Sequence, residues 1–398
     1  MPKPSVYSQI NAVQVTGPKL MPSPRHFNCG AFRFKGRLWL VYRSHLPLQH
    51  ASRCATAIVA LDGETFQPIT QSQHLNFPAT RGDEHFEDAR LFMFRGQPHI
   101  SYTCMSGYVP GRNYTCSMRY ARLKLRGTTW TIDETFWPKY GNNDGTSKEK
   151  NWVFFEHKDE LYCIYLDDPT RKVLKIDGDR VKAVYDSPTA TWPWGVMRGG
   201  TSPIPYGKGK MLAIFHSSLP TEEPPHFVRY YGGAYVFEDK PPFKILSISS
   251  RPIMAGSEAD GHGIDPRYSE GWKPYVVFPC GCVPDEDGWL VSLGVNDWQC
   301  AVGRITKADL GLIEPDRSDA PIRYFRTANG SVGVQLVTAD GNLSWVNWER
   351  CGTDPRGCMV PPGYFATSDG RVAEAMESAP RSVEISANEY EAAMKKIA

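Results

Sequence analysis

A two-strand unit recurs five times in this chain, as GAFRFKGRLWLVYRS from Gly30, ARLFMFRGQPHISYT from Ala89, WVFFEHKDELYCIYL from Trp152, SPIPYGKGKMLAIFH from Ser202 and CGCVPDEDGWLVSLG from Cys280. Each is a short apolar or aromatic run, a turn, and a second apolar run. The turns fall at Lys35-Gly36, Arg95-Gly96, Lys158-Asp159, Lys208-Gly209 and Asp287-Gly288. Gly and Asp supply the backbone freedom that a tight hairpin needs. A third run follows most units, for example CATAIVALD from Cys54 and WQCAVGRIT from Trp298. Short sheets repeated at irregular spacing predict an all-β fold, a five-bladed β-propeller. An aperiodic β-sandwich accounts for the strands but not for the alignment of the units.

The repeat assigns residues 1–310 to the propeller and 311–398 to a small appended α+β module. In the module, IRYFRTANGSVGVQLVTADGNLSWVNWE carries two strand-turn-strand patterns, and Ser386 is placed as the N-cap of a short terminal helix. At the other end, the segment from Asn11 to Leu20 is strand-like. It is expected to close the ring by pairing with the last blade, which removes exposed sheet edges.

Net charge is +2, with no run of five or six like charges, so nothing marks a nucleic-acid partner. No stretch is long and apolar enough to span a bilayer, and MPKPSVYSQINAVQ lacks a signal-peptide core, so a cytoplasmic location is expected. The ten cysteines include Cys54, Cys104, Cys163 and Cys300 inside apolar strand patterns, where a reduced thiol acts as a small hydrophobe and no structural disulfide is expected. Cys280-Gly-Cys282 has no matching pair at zinc-site spacing, so packing is expected there and no metal site.

Hairpin geometry says where chemistry should gather. The start of a first strand and the end of a second lie at one edge of the sheet, opposite the turn. Around a propeller axis, these edges share one face. Asn28, Glu87, Asp88, Arg90, Lys150, Asn151 and Arg198 stand at or before first strands, while Arg43, Thr103, Asp167, His216 and Asp297 stand at the ends of second strands. One face thus collects cations, carboxylates and a histidine. Taken singly, each has a structural explanation: Arg43 with Asp88 as a buried ion pair, Lys150-Asn151 as a turn, His216 as a core histidine, and Asp167-Asp168 before Pro169 as a turn. Their conjunction at one strand position marks a polar site. Trp192, Trp194, Tyr108 and Trp298 are candidate platforms for sugar rings, although most aromatics in such a chain belong to the core.

At these residues the chain resembles glycoside hydrolase family 130, the mannoside phosphorylases and their relatives, which are five-bladed propellers. The resembling elements are Phe27-Asn28, Leu40-Val41-Tyr42-Arg43, Glu87-Asp88-Ala89-Arg90, Lys150-Asn151-Trp152, Arg198-Gly199-Gly200-Thr201-Ser202-Pro203, Phe215-His216, Val277-Phe278-Pro279-Cys280-Gly281 and Gly294-Val295-Asn296-Asp297. The family has Pro where Cys29 and Ala89 stand, and Tyr-His-Gly where Phe215-His216-Ser217 stands. The resemblance implies a glycan-active domain in which Asp88 is the general acid. It implies that Asn28, Arg43 and Asp297, beside Glu87, hold the reacting sugar, and that Lys150, Asn151, Arg198 and His216 gather around phosphate. A group of β-mannosyltransferases shares the scaffold.

The expected reaction is inverting phosphorolysis or synthesis of a β-linked mannooligosaccharide with sugar 1-phosphate. Breaking a glycosidic bond needs a proton for the leaving oxygen and a nucleophile on the opposite face. Phosphate is already an anion and needs only positioning by cations. No cofactor is expected beyond phosphate, or a nucleotide sugar, as co-substrate. A nucleotide-sugar glycosyltransferase is the alternative, followed by a hydrolase pairing Asp88 with Glu87 or Asp297, and then a non-catalytic glycan-binding propeller.

Overall fold

The computed structural model describes residues 5–23, 25–45, 54–79, 84–107, 114–146, 148–166, 170–190, 192, 194–220, 228–260 and 274–315, the strands 322–327, 332–337, 343–349 and 382–385, and Glu389. The first blade runs His26–Phe34, Arg37–His45, Cys54–Leu61 and Gln73–His74 in spatial order. The second comprises His85–Phe94, Gln97–Ser106, Thr115–Arg126 and Thr129–Phe136. The third comprises Val153–His157, Glu160–Leu166, Thr170–Asp177 and Arg180–Pro188. The last consists of Val277–Asp285, Gly288–Val295 and Gln299–Thr306, completed by Val13–Gln14. This N-terminal strand pairs antiparallel with the outermost strand, Val13 opposite Val302, so the expected closure by the Asn11–Leu20 segment is present.

These sheets make four regular four-stranded blades, where the sequence predicted five. The Ser202 unit forms an eight-stranded sheet instead. Its first strand is split into Arg198–Gly199 and Ile204–Pro205, both paired with the long strand Lys210–Pro220. Pro203 and Pro205 lack the N–H that a continuous ladder needs. The adjoining strand Val228–Glu238 then recruits Ile245–Ser249, Met254–Ala255 and Pro274–Tyr275, and Leu312–Ile313 extends the sheet from Ile245–Ser249.

The core is a circuit of apolar seams between successive sheets. Leu38, Leu40 and Tyr42 pack towards Val283, Leu290 and Val302 of the last blade. On the other face of the same strand, Trp39 and Val41 pack towards Leu91 and Ile100 of the second. Similar seams join the second blade to the third, the third to the eight-stranded sheet, and that sheet to the last blade. Covered on both faces, the strands are nearly continuous apolar runs, and Cys54–Leu61 is buried throughout. The turns match their residues: Lys35-Gly36, Arg95-Gly96 and Lys158-Asp159 all have positive φ at both positions, the type I′ geometry that fits strand twist.

Strands Ile322–Thr327, Val332–Val337, Leu343–Glu349 and Ser382–Ile385 form a separate four-stranded sheet within the appended segment. The helix expected after Ser386 lies outside the described residues except for Glu389, which is helical. No helix among the described residues is long and apolar enough to cross a membrane.

Candidate active site

Backbone bulges aim the polar side chains. The first strand of the first blade shifts register between Phe27 and Gly30, and that of the second between Glu87 and Arg90. Asn28 and Asp88 occupy these bulges with φ of 49° and 52°, and Asn151, just ahead of the third blade, has φ of 65°. Asn and Asp tolerate this left-handed region better than other side-chain-bearing residues, and a bulge re-aims the side chain it carries. Asp297 is presented differently. With Asn296 it forms a two-residue turn, φ 54° and 50°, closed by Trp298 N–H donating to the Val295 carbonyl at 3.0 Å.

The first three blades meet in a buried polar network. Asn28 Nδ2 donates to Asp88 Oδ1 at 2.8 Å, and Arg43 Nη1 donates to the same oxygen at 3.0 Å. Arg43 Nη2 reaches Glu87 Oε1 at 2.6 Å, and Lys150 Nζ lies 3.5 Å from Glu87 Oε2. Asp88 Oδ2 makes no hydrogen bond among the described residues, so one oxygen of this carboxylate is fixed and the other is open. Gly294 packs against Asn28: a Cβ there would lie 2.0 Å from Asn28 Oδ1.

Arg90 ties the network to the eight-stranded sheet. Fully buried, it donates to the carbonyls of Asp88, Gly199 and Gly200 and, at 3.4 Å, to Asn151 Oδ1. The brace on Gly199-Gly200 is therefore Arg90. Arg198 is exposed, makes no ion pair among the described residues, and donates only to Ser218 Oγ at 3.3 Å.

Burial favours a protonated Asp88, but Arg43, Lys150 and Arg90, with the Asn28 amide, outweigh it and hold the carboxyl at about 2. The resting site thus contains an Asp88 carboxylate, not a proton-bearing acid. Burial works against the Lys150 ammonium, and Glu87 more than offsets it, so Lys150 remains cationic. His216 stands apart from these charged groups. It is 1% exposed, lies against Phe278 and Tyr230 at ring separations of 4.5 and 6.0 Å, and its Nδ1 has no hydrogen-bond partner among the described residues. Burial, then Arg198 and Arg90, hold its proton affinity well below the ordinary histidine value, so its ring is neutral.

Of the sequence candidates, Asn28, Arg43, Glu87, Asp88 and Lys150 share one network, Asn151 joins it through Arg90, and Asp297 acts electrostatically on Arg43. Arg198 and His216 adjoin across the next sheet as register partners. Asp167, Asp168 and Tyr108 lie outside the described residues. Trp192 is core, with Nε1 donating to Ser217 Oγ at 2.8 Å, while half-buried Trp298 lies under the Arg25 guanidinium at 5.3 Å. Cys280 and Cys282 face different seams, and burial pushes both thiols up, as packing residues require. Among the described residues, no three His, Cys, Asp or Glu side chains group as a metal site.

Sequence reasoning missed the structural role of Arg90, and it missed Tyr230 entirely. Arg198, Asp297, Lys150 and Asp88 all act on the Tyr230 phenol. Only the register that sets Tyr230 opposite Ser218 reveals it.

No family model and no curated protein matches this sequence. Solved structures do match in fold. The chain is similar to the β-1,2-mannobiose phosphorylase from Listeria innocua, with a TM-score of 0.53 and 15% identity over 76% of this chain and 98% of that one. The propeller shares its fold with GH130 structures. A second similar structure represents GH130 glycoside hydrolases that target β-1,2 mannosidic linkages in Candida mannan, with a TM-score of 0.52 and 12% identity over 79% of this chain and 95% of that one. The likeness is one of fold, and the reading of the site rests on this chain's own residues.

Proposed function

We propose that this chain is a carbohydrate-active enzyme that transfers a glycosyl group with inversion, by phosphorolysis or synthesis of a β-linked mannooligosaccharide. Residues 1–310 form the glycan-active domain in this reading, with 311–398 as an appended module. The observation that carries it is Asp88, a buried carboxylate with one tied oxygen and one open oxygen, under the field of the Lys150 cation. Asp88 acts on the leaving oxygen through Oδ2. Asn28 and Arg43 fix its Oδ1, and Asp297 and Glu87 border the sugar. Lys150, Arg198, the Asn151 amide and neutral His216 receive the phosphate.

The low proton affinity of Asp88 fits this division of labour. An anion bound beside Lys150 and Arg198 offsets the field that keeps Asp88 ionised, and a nearby negative charge raises a carboxyl's pKa. Phosphate binding therefore prepares Asp88 to carry the proton delivered to the leaving group. Hydrolysis would need a second carboxylate to deprotonate water. Glu87 is poorly suited, because Arg43 and Lys150 already engage both of its oxygens.

One observation favours nucleotide-sugar transfer as a second reading. Exposed Lys148 sits 4.2 Å from the Tyr114 ring that also faces Lys150, extending the cationic side outward as a diphosphate would require. The test is incubation with β-1,2-mannobiose with and without phosphate, and separately with nucleotide sugars and acceptors. Phosphate-dependent release of mannose 1-phosphate is expected. Cleavage without phosphate, or turnover only with a nucleotide sugar, would overturn phosphorolysis.

A further inference from the structure

We propose that Arg90 is a positioning residue for the transfer reaction, one buried guanidinium that gives direction to both the Asp88 carboxyl and the Asn151 amide. This deepens the reading above and rests on it. Gly30 and Arg90 close equivalent bulges, on the first strands of the first and second blades. A Cβ at Gly30 would meet the Ala89 carbonyl at 3.2 Å and the Cys280 carbonyl at 3.3 Å, so the first blade brings no side chain to this point. Of the two bulges, the one that carries the proposed acid is held by a guanidinium. A residue needed only for packing would not carry charge here. Arg90 is fully buried, makes no ion pair among the described residues, and has the Phe278 ring 5.4 Å from its guanidinium carbon. Burying a charge without a paired ion is costly. What the side chain supplies in return is geometry, a rigid plane of five N–H groups that holds several acceptors at once.

The acceptors are atoms that set direction. Arg90 Nη1 donates to the Asp88 carbonyl at 2.9 Å, which fixes the peptide that follows this left-handed residue, φ 52°. Nη2 donates to the Gly199 carbonyl at 3.2 Å, and Nε donates to that of Gly200. Gly199 has no room for a Cβ because the Asn151 carbonyl lies against it, so the backbones of Asp88, Asn151 and Gly199 meet around one side chain. Nη2 also lies 3.4 Å from Asn151 Oδ1. A guanidinium can only donate, so the amide atom that faces it is the oxygen. Asn151 Nδ2 is thereby turned away from Arg90. It makes no hydrogen bond among the described residues, and it serves as the donor to phosphate. Acid and anion donor thus take their aim from the same fork.

Arg90→Lys keeps the charge and removes the planar fork, whereas Arg90→Gln removes both. Phosphorolysis of β-1,2-mannobiose is measured as kcat and KM for wild type and each variant, per mole of folded protein, and thermal unfolding is followed alongside. Both variants should lower kcat about ten- to hundredfold, as misplacing a catalytic group does, with KM for the disaccharide within about twofold. Should one variant not fold, the other decides. Near-native kcat in Arg90→Lys with a loss in Arg90→Gln would mean that Arg90 supplies charge rather than direction. Unchanged kcat with a lowered Tm, or failure of both variants to fold, would make it a structural residue. Either result overturns the Arg90 assignment and leaves the phosphorolysis reading standing. Wild type that releases no mannose 1-phosphate ends that reading, and this inference falls with it.

Discussion

Arg43 Nη1 donates to Asp88 Oδ1 at 3.0 Å across the seam between the first and second blades, both side chains being more than nine-tenths buried. The same guanidinium holds Glu87, so one cation of the first blade spans two adjacent carboxylates of the second. Burial opposes the Arg43 charge, and Glu87 leads the anionic neighbours that preserve it. Removing one member of a buried ionic group leaves the others uncompensated, which costs about 3–5 kcal/mol. Arg43→Ala should therefore lower unfolding stability by about that amount in a denaturant titration. A loss below about 1 kcal/mol would show that the cluster is hydrated and contributes little to joining the blades.

Asp88→Asn preserves shape and the contact with Asn28 while removing the charge and the proton site. Turnover should fall about a hundred- to ten-thousandfold, as loss of general-acid assistance does elsewhere. The far-ultraviolet circular dichroism should be unchanged. Near-native turnover would assign the acid to another carboxylate.

Arg198 is exposed and its side chain donates only to Ser218 Oγ among the described residues, while Arg90 holds the Gly199 and Gly200 carbonyls. Arg198→Ala should weaken phosphate binding at least tenfold, leave neutral disaccharide binding within about twofold, and leave Tm unchanged. Equal losses for both ligands together with a lowered Tm would identify it as a structural residue.

Acid should destabilise the protein through His216 and, at lower pH, Asp88, alongside the other histidines whose proton affinity burial lowers, His26, His74 and His99. His216 binds its proton less readily folded than unfolded, so its contribution to stability is complete above 6.5 and is lost as pH falls below that value, by up to ~1.4 kcal/mol per pH unit. Asp88 is depressed from 3.8 to about 2, so its contribution is complete above 3.8 and is lost as pH falls through about 2. His216→Gln should reduce the slope of the stability profile between pH 6.5 and 5 while leaving the lower limb in place. An unchanged profile for this variant would mean that His216 is protonated in the folded protein.

The alternating apolar runs and their turns determined the strands, the hairpins, the closure by Val13–Gln14 and the edge on which polar residues gather. These are local consequences of side-chain periodicity and turn chemistry, so they are written in single segments. Asn28, Arg43, Glu87, Asp88 and Lys150 could be named as neighbours because each stands at a legible strand end. Tertiary structure decided the rest. The bulges that turn Asn28 and Asp88 inward, and the split strand around Pro203 that makes an eight-stranded sheet, depend on register against partners far along the chain. Whether His216 carries charge depends on burial and on Arg198 and Arg90, and that Tyr230 stands opposite Ser218 depends on the register of the ladder. Charge state and side-chain direction are set by neighbours in space, and a sequence lists only neighbours along the chain.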